Sequence, residues 1–254
     1  MNLEKIIAIR NTKTIFKDKN NCIKLFYYGY AKADVLNEAL NQSRVEELDI
    51  NIPKIKSVET IDNKWAIITE FIDGETMSNL LKKSLNKDEY LNRFVDLQLH
   101  VQSHECSLLT QLKDKLFKRI NNAKIDDTIK KILLKDLEEL PNDKALCHGD
   151  FYFSNIIVGK NKSEYILDWS HATQGCVLID IARTYLLIAF CNDLELAEKY
   201  LDLLCSKAKY QKNDIKRWIA VTAAAQFVKA NQAEREFLYP WILSNLKERG
   251  LLND

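Results

Sequence analysis

Three oxygen-bearing side chains stand at spacings suited to phosphate chemistry: Asp150, Asn155 and Asp168. Asn155 precedes the apolar run Ile156-Ile157-Val158 and Asp168 follows Tyr165-Ile166-Leu167, with Gly159-Lys160-Asn161-Lys162 between the runs as a turn. Paired as an antiparallel hairpin, the runs bring Asn155 and Asp168 to one open end, a strand spacing of roughly 5 Å apart. An amide oxygen and a carboxylate converging there are hard ligands, suited to a Mg²⁺ held mostly by a substrate's phosphates. Asp150, just upstream, would then face a substrate hydroxyl. Taken singly, His-Gly-Asp reads as a turn, Asn155 as a strand-edge cap and Asp168 as a helix cap. The catalytic reading rests on all of them together.

The run from His148 to Val158, with Asp168-Trp169 downstream, resembles the aminoglycoside phosphotransferase and choline kinase-like family. That family's catalytic loop reads His-Gly-Asp with Asn five positions after the Asp, as 150 and 155 are here. The resemblance implies a two-lobed α/β (α+β) protein kinase-like fold: a small antiparallel sheet with one helix, then a larger, mostly helical lobe. It implies transfer of the γ-phosphoryl group of ATP, or of GTP, to a hydroxyl of a small-molecule acceptor. Asp150 would accept the hydroxyl proton, and Asn155 and Asp168 would hold Mg²⁺. Gly149 stands where protein kinases carry Arg, and Trp169 where they carry Phe-Gly, which favours the small-molecule kinases.

The elements that must position these residues follow from periodicity. Three short strands, Ile6 to Arg10, Lys13 to Lys17 and Cys22 to Phe26, are broken by turn residues into a meander. Lys24 alternates with Ile23 and Leu25, and a helix over Asp34 to Leu48, capped by Asp34, carries Glu38. Apart from the family, Lys24 is an ordinary strand lysine and Glu38 a solvated helix glutamate. By the resemblance, Lys24 binds the α- and β-phosphates and Glu38 holds it. The turn Arg10-Asn11-Thr12-Lys13 departs from the pattern, because it lacks the glycines that let backbone N–H groups approach phosphate. Thr12 or Lys13 would supply side-chain contacts instead. The missing glycines also support a second reading, a nucleotide-binding pseudokinase acting as a binding or regulatory module.

Strands over Ile50 to Val58 and Lys64 to Phe71 come next. The second ends in Glu70-Phe71-Ile72-Asp73-Gly74, which the resemblance makes the hinge, with Glu70 and Ile72 meeting the nucleotide base through their backbone. A lobe boundary is expected at Asp73-Gly74, giving residues 1–73 and 74–254, with a helix from Glu75 to Leu81. Helices follow from Lys87, over Lys113 to Ala123 and over Ile129 to Leu140. His100 and His104 are spaced for a metal pair but lack the accompanying motif, and a structural role is expected. Family position makes His148 part of the loop and places Asp180, in Asp180-Ile181-Ala182-Arg183, behind it as scaffold. Helices are expected over Leu194 to Lys207, Asp214 to Phe237 and Tyr239 to Arg249. Glu234 and Glu236 read as solvated helix residues before they read as an amine site.

Composition closes off other classes. Hydrophobic residues make up 46% and charged residues 29%, which excludes disorder. No apolar run reaches the ~20 residues of a membrane span. Lysine and arginine number 37 against 36 acidic residues without a basic block, so neither nucleic acid nor a membrane surface is an expected partner. The amino-terminal residues do not read as a signal peptide, so a cytoplasmic location is expected. Six scattered cysteines without a C-x-x-C pair read as reduced thiols, Cys147 among them as a small buried hydrophobe.

Overall fold

The computed structural model describes Leu3 and residues 5–191 and 193–252. The chain opens with β1 (Lys5–Ile9), β2 (Lys13–Asp18) and β3 (Asn21–Phe26), then α1 (Lys32–Val45), β4 (Ile55–Ile61), β5 (Lys64–Glu70) and β6 (Gly74–Thr76). Next come α2 (Met77–Lys83), α3 (Lys87–Gln102), α4 (Leu112–Asn122), α5 (Asp127–Glu138) and β7 (Ala145–Cys147). The hairpin β8 (Ile156–Gly159) and β9 (Glu164–Ile166) leads to β10 (Thr173–Gly175) and α6 (Val177–Phe190). The chain then runs through α7 (Leu194–Ala208), α8 (Lys212–Lys216), α9 (Ile219–Phe227) and α10 (Gln232–Glu248).

Two compact units result. One takes the residues up to Tyr90 together with Phe153–Ala172; the other takes Leu91–Tyr152 and the residues from Thr173 on. The expected boundary at Asp73-Gly74 differs from this division for a physical reason. β6 pairs antiparallel with β8, Gly74 opposite Gly159 and Thr76 opposite Ile157, so the hairpin groups with the first unit. Gly74 is required there, because a Cβ would fall 2.3 Å from the Val158 carbonyl oxygen. The helix expected from Glu75 therefore starts later, at Met77, where the Thr76 hydroxyl accepts the Asn79 N–H at 3.3 Å.

In the first unit the sheet order is β1-β2-β3-β5-β4. Alternation gives it two faces. Phe16, Ile23, Leu25, Ala66 and Ile68 pack on one, while Phe26 and Ile67 pack with Val35 and Ala39 of α1 on the other. α1 begins at Lys32, earlier than expected, with Ala31 at the cap position and no side-chain cap; Asp34 sits in its first turn, where its charge favours the helix dipole. β4 begins at Ile55 and not at Ile50, since Pro53 lacks an N–H for a ladder. It continues past Val58 into a tight turn with Asp62 and Asn63 both left-handed, φ 48 and 59.

The second unit is helical around a two-stranded sheet in which Cys147 faces Thr173. Its core includes Phe94, Phe151 and Tyr200, with Phe94 and Phe151 ring centroids 4.8 Å apart. The buried Gln98 donates to the Thr184 hydroxyl at 3.1 Å and accepts from Tyr200 at 2.6 Å. The long helix expected over Asp214 to Phe237 is three pieces. Trp218 breaks it between α8 and α9, and Asn231 with Glu234 forms a capping box that starts α10, which continues through Pro240. Glu234 thus has a structural task. All six cysteines stand outside any disulfide.

Candidate active site

In the first unit, the register of β2 and β3 sets Lys13 opposite Phe26 and Ile15 opposite Lys24. Residues two apart on a strand share a face, so both lysines lie on the α1 side as diagonal neighbours. Glu38 of α1, buried at 6% exposure, answers both. The Lys24 ammonium donates to Glu38 Oε1 at 2.9 Å, and Lys13 donates to Oε1 and Oε2 at 2.9 and 3.0 Å. Burial opposes the Lys24 charge, but the carboxylates of Glu38 and then Asp168 outweigh it and raise its pKa above the ordinary value.

The hairpin delivers the oxygen ligands to this group. Ile156 pairs with Ile166, and the Leu167 N–H donates to the Asn155 carbonyl at 2.8 Å. Asn155 therefore lies opposite Leu167, and Asp168 is one residue beyond the position expected for it. A one-residue offset along a regular strand would send the two side chains to opposite faces. Here neither residue is in a regular strand: Asn155 closes a 3₁₀ turn, Phe153–Asn155, and Asp168 is left-handed at φ 61, ψ 64. Both line one cavity. Asp168 lies 3.7 Å from the Lys13 ammonium. Burial would raise its pKa, but Lys24 and Lys13 outweigh burial and hold it below the ordinary carboxylate value. The α1 helix is tied to the same segment by Asn41, whose amide donates to the Ser170 carbonyl at 3.4 Å.

The cavity, about 540 Å³, is of a size for a small organic ligand. Thr69, Glu70, Phe71 and Ile72 line one part, and Lys13, Lys24, Asn155 and Asp168 another. The Glu70 and Phe71 N–H groups donate to the Lys54 and Asn20 carbonyls, at 2.9 and 3.1 Å. Asp168 Oδ1 is buried and has no hydrogen-bond partner among the described residues. An orphaned carboxylate oxygen beside an amide is a fit for a hard cation that takes its remaining ligands from phosphate and water. Among the described residues, no cluster of three or more His, Cys, Asp or Glu offers an all-protein cage instead.

The His148-Gly149-Asp150 loop of the second unit is built differently. Gly149 is left-handed, φ 78, a conformation that favours glycine. Its N–H donates to Asp180 Oδ1 at 2.7 Å, and Asp180 Oδ2 accepts from the Gln102 amide at 3.0 Å. His148 is fully buried, and its Nδ1 accepts the Asp150 N–H at 3.2 Å. Phe151, 1% exposed, anchors the loop from the other side of Asp150. The Asp150 carboxylate pairs with the Arg183 guanidinium at 3.2 Å. His100 and His104 serve structure: His104 Nδ1 meets the His100 carbonyl at 2.8 Å, and the His104 carbonyl accepts the Leu146 N–H of β7 at 2.7 Å.

The structure thus gathers Lys24, Glu38, Glu70, Ile72, Asn155 and Asp168 within the first unit, all but Glu38 on the cavity wall, and His148, Asp150 and Asp180 within the second. Two residues carried more than their sequence reading. Lys13 was one of two side-chain options at the turn, and its place two residues before Ile15, which the register sets opposite Lys24, puts it on that lysine's face. Arg183 follows Asp180 by one helical turn, so the two share a face, a spacing that foretold its place at the loop.

A family profile described as the phosphotransferase enzyme family matches residues 29–218. Solved structures share the fold. A thermostable mutant of aminoglycoside phosphotransferase APH(4)-Ia, in ternary complex with AMP-PNP and hygromycin B, is 12% identical with a TM-score of 0.72, over 95% of this chain and 92% of that one. Choline kinase LicA from Streptococcus pneumoniae is 12% identical at TM-score 0.63, over 98% and 95%. ADP-bound aminoglycoside phosphotransferase APH(2'')-Ib is 18% identical at TM-score 0.62, over 96% and 91%. No curated protein matches the chain.

Proposed function

Since the chain belongs to the phosphotransferase enzyme family, we propose that it is a small-molecule kinase that moves the γ-phosphoryl group of ATP to a hydroxyl of a small acceptor. The observation that carries this reading is the cavity wall on which Lys24, Asn155 and Asp168 converge, with one Asp168 oxygen unpaired. Lys24, held by Glu38, binds the α- and β-phosphates; the Ile72 N–H and the Glu70 carbonyl take the base edge. Asn155 and Asp168 hold Mg²⁺, which when bound neutralises phosphate charge.

Asp150 orients the acceptor hydroxyl and takes its proton as the new O–P bond forms and the bond from the γ-phosphorus to the bridging oxygen breaks, releasing ADP. Arg183 and the Asp150 N–H bond to His148 fix the carboxylate for that task. Asp180 keeps Gly149 in its left-handed turn. Most of the acceleration comes from alignment and charge neutralisation. The acceptor class is an aminoglycoside or an amino-alcohol or sugar metabolite, in keeping with the hygromycin B complex and the choline kinase among the structural relatives. Among the described residues no helix is long and apolar enough to cross a membrane, and a cytoplasmic location, where ATP is plentiful, goes with the reading.

Thermal shift with MgATP, repeated with ATP and a chelator, tests the nucleotide half. Stabilisation that needs the metal is the expected outcome, and no shift with MgATP would overturn the reading. ATP consumption across amines, sugars and aminoglycosides then finds the acceptor. Consumption with none of them would favour the pseudokinase alternative.

A further inference from the structure

The β1–β2 turn, Arg10-Asn11-Thr12, has no glycine. With a Cβ at every position, backbone N–H groups cannot close on phosphate as a glycine-rich cover does. Part of the turn's backbone is also committed: the Arg10 N–H donates to the Lys13 carbonyl at 2.9 Å, and the Thr12 carbonyl accepts from Tyr27 at 3.0 Å. A side-chain donor beside the turn is then the natural partner for the outer phosphates.

Lys13 is the residue that follows the turn, and only 8% of it is exposed. Its ammonium reaches both oxygens of Glu38 at 2.9 and 3.0 Å and stands 3.7 Å from Asp168, while Lys24 uses the same Glu38 Oε1 at 2.9 Å. Two ammonium groups and two carboxylates balance. If Asp168 turns to a metal, the two lysines are left against one carboxylate, an unmatched positive charge on the cavity wall. Stability is a poor reason to bury a second lysine there, since desolvation offsets much of what a buried ion pair gains. An arriving anion is a better one.

We infer that Lys13 is a second phosphate-binding residue, whose ammonium takes the place of the missing backbone donors. Its nearness to Asp168 sets the end of the ligand it meets. Asp168 would hold a metal that neutralises the outer phosphates, and Lys13, 3.7 Å from Asp168, would meet those phosphates and not the α-phosphate. The inference rests on the nucleotide reading above.

Calorimetry on the full chain tests it, with MgATP, MgADP and AMP as ligands for wild type, Lys13→Met and Lys13→Gln. Gln keeps a donor for Glu38 without the charge, so it serves should the Met variant not fold. Losing a charge-assisted contact should weaken MgATP and MgADP by about tenfold or more, with AMP changed by less than about twofold. Melting of the ligand-free variants shows whether the fold is kept. Unchanged MgATP affinity, or an equal loss for AMP and ATP, overturns the inference and leaves Lys13 as a clasp between β2 and α1. Wild-type protein that binds no MgATP overturns the nucleotide reading as well, so the two failures are told apart.

Discussion

Asp168 and Asp150 are equally exposed, each with 31% of its side chain accessible, yet they keep different company. Asp168 belongs to a group of opposed charges, Lys13, Lys24 and Glu38, and keeps one oxygen unpaired. Asp150 sits on a loop pinned by part-buried hydrogen bonds, from Gly149 to Asp180 and from its own N–H to His148, with the Arg183 guanidinium at its carboxylate. Exposure alone does not separate them; neighbours do. A set of charges that balance only among themselves is suited to exchanging partners with a charged ligand. A single carboxylate on a rigid loop is suited to holding one position while a proton moves.

The contrast breaks first at Asp150. Asp150→Asn should lower kcat by about two to four orders of magnitude while MgATP affinity and melting temperature stay near wild type, if the carboxylate acts at the transition state as proposed. Single-turnover rates beside calorimetry check this. Wild-type turnover in the variant would remove Asp150 from the chemistry.

Asp180 should show the opposite pattern. Asn offers one acceptor oxygen where Asp180 uses two, for Gly149 and Gln102. Asp180→Asn should therefore leave a buried donor unpaired and cost about 1 to 3 kcal/mol in denaturant unfolding, with turnover reduced as well. An unchanged midpoint with normal turnover would show that the loop holds itself.

The smallest effect is a pH dependence that belongs to the charged group alone. Asp168 titrates below its ordinary value when folded, so its contribution is full above the unfolded carboxylate pKa of about 4 and fades as pH falls through the lower folded value. Lys24 is raised, so its contribution is full below about 10.5 and fades only as pH climbs through the folded value. The melting-temperature difference between wild type and Asp168→Asn should accordingly shrink below about pH 4. A difference that persists to lower pH would mean that the carboxylate's charge is not what the lysines stabilise.

Family membership, the kinase-like fold and the phosphotransferase class were legible in the sequence, chiefly because His148 to Asp168 packs a turn, a hairpin and three polar residues into one short stretch. What was not legible depended on partners distant in the chain. β6 is three residues long and exists because β8 comes back to it eighty residues later. The breaks at Trp218 and Asn231 lie within an apolar periodicity that alone predicts one helix. Lys13 was legible as one of two side-chain options at the turn, but its sharing of Glu38 with Lys24 was not, since a strand lysine has no local signal for the distant carboxylate it meets.

Gly74 carries one more consequence. It is the first residue of β6, directly after Glu70 to Asp73, and it touches the Val158 carbonyl of the strand that Asn155 leads into. The stretch proposed to meet the base and the stretch proposed to meet the metal therefore pack against each other at Gly74, with no room there for even a methyl group. A larger residue at position 74 would press on both stretches at once. Changes in base preference and in phosphate geometry should be inherited together in this chain.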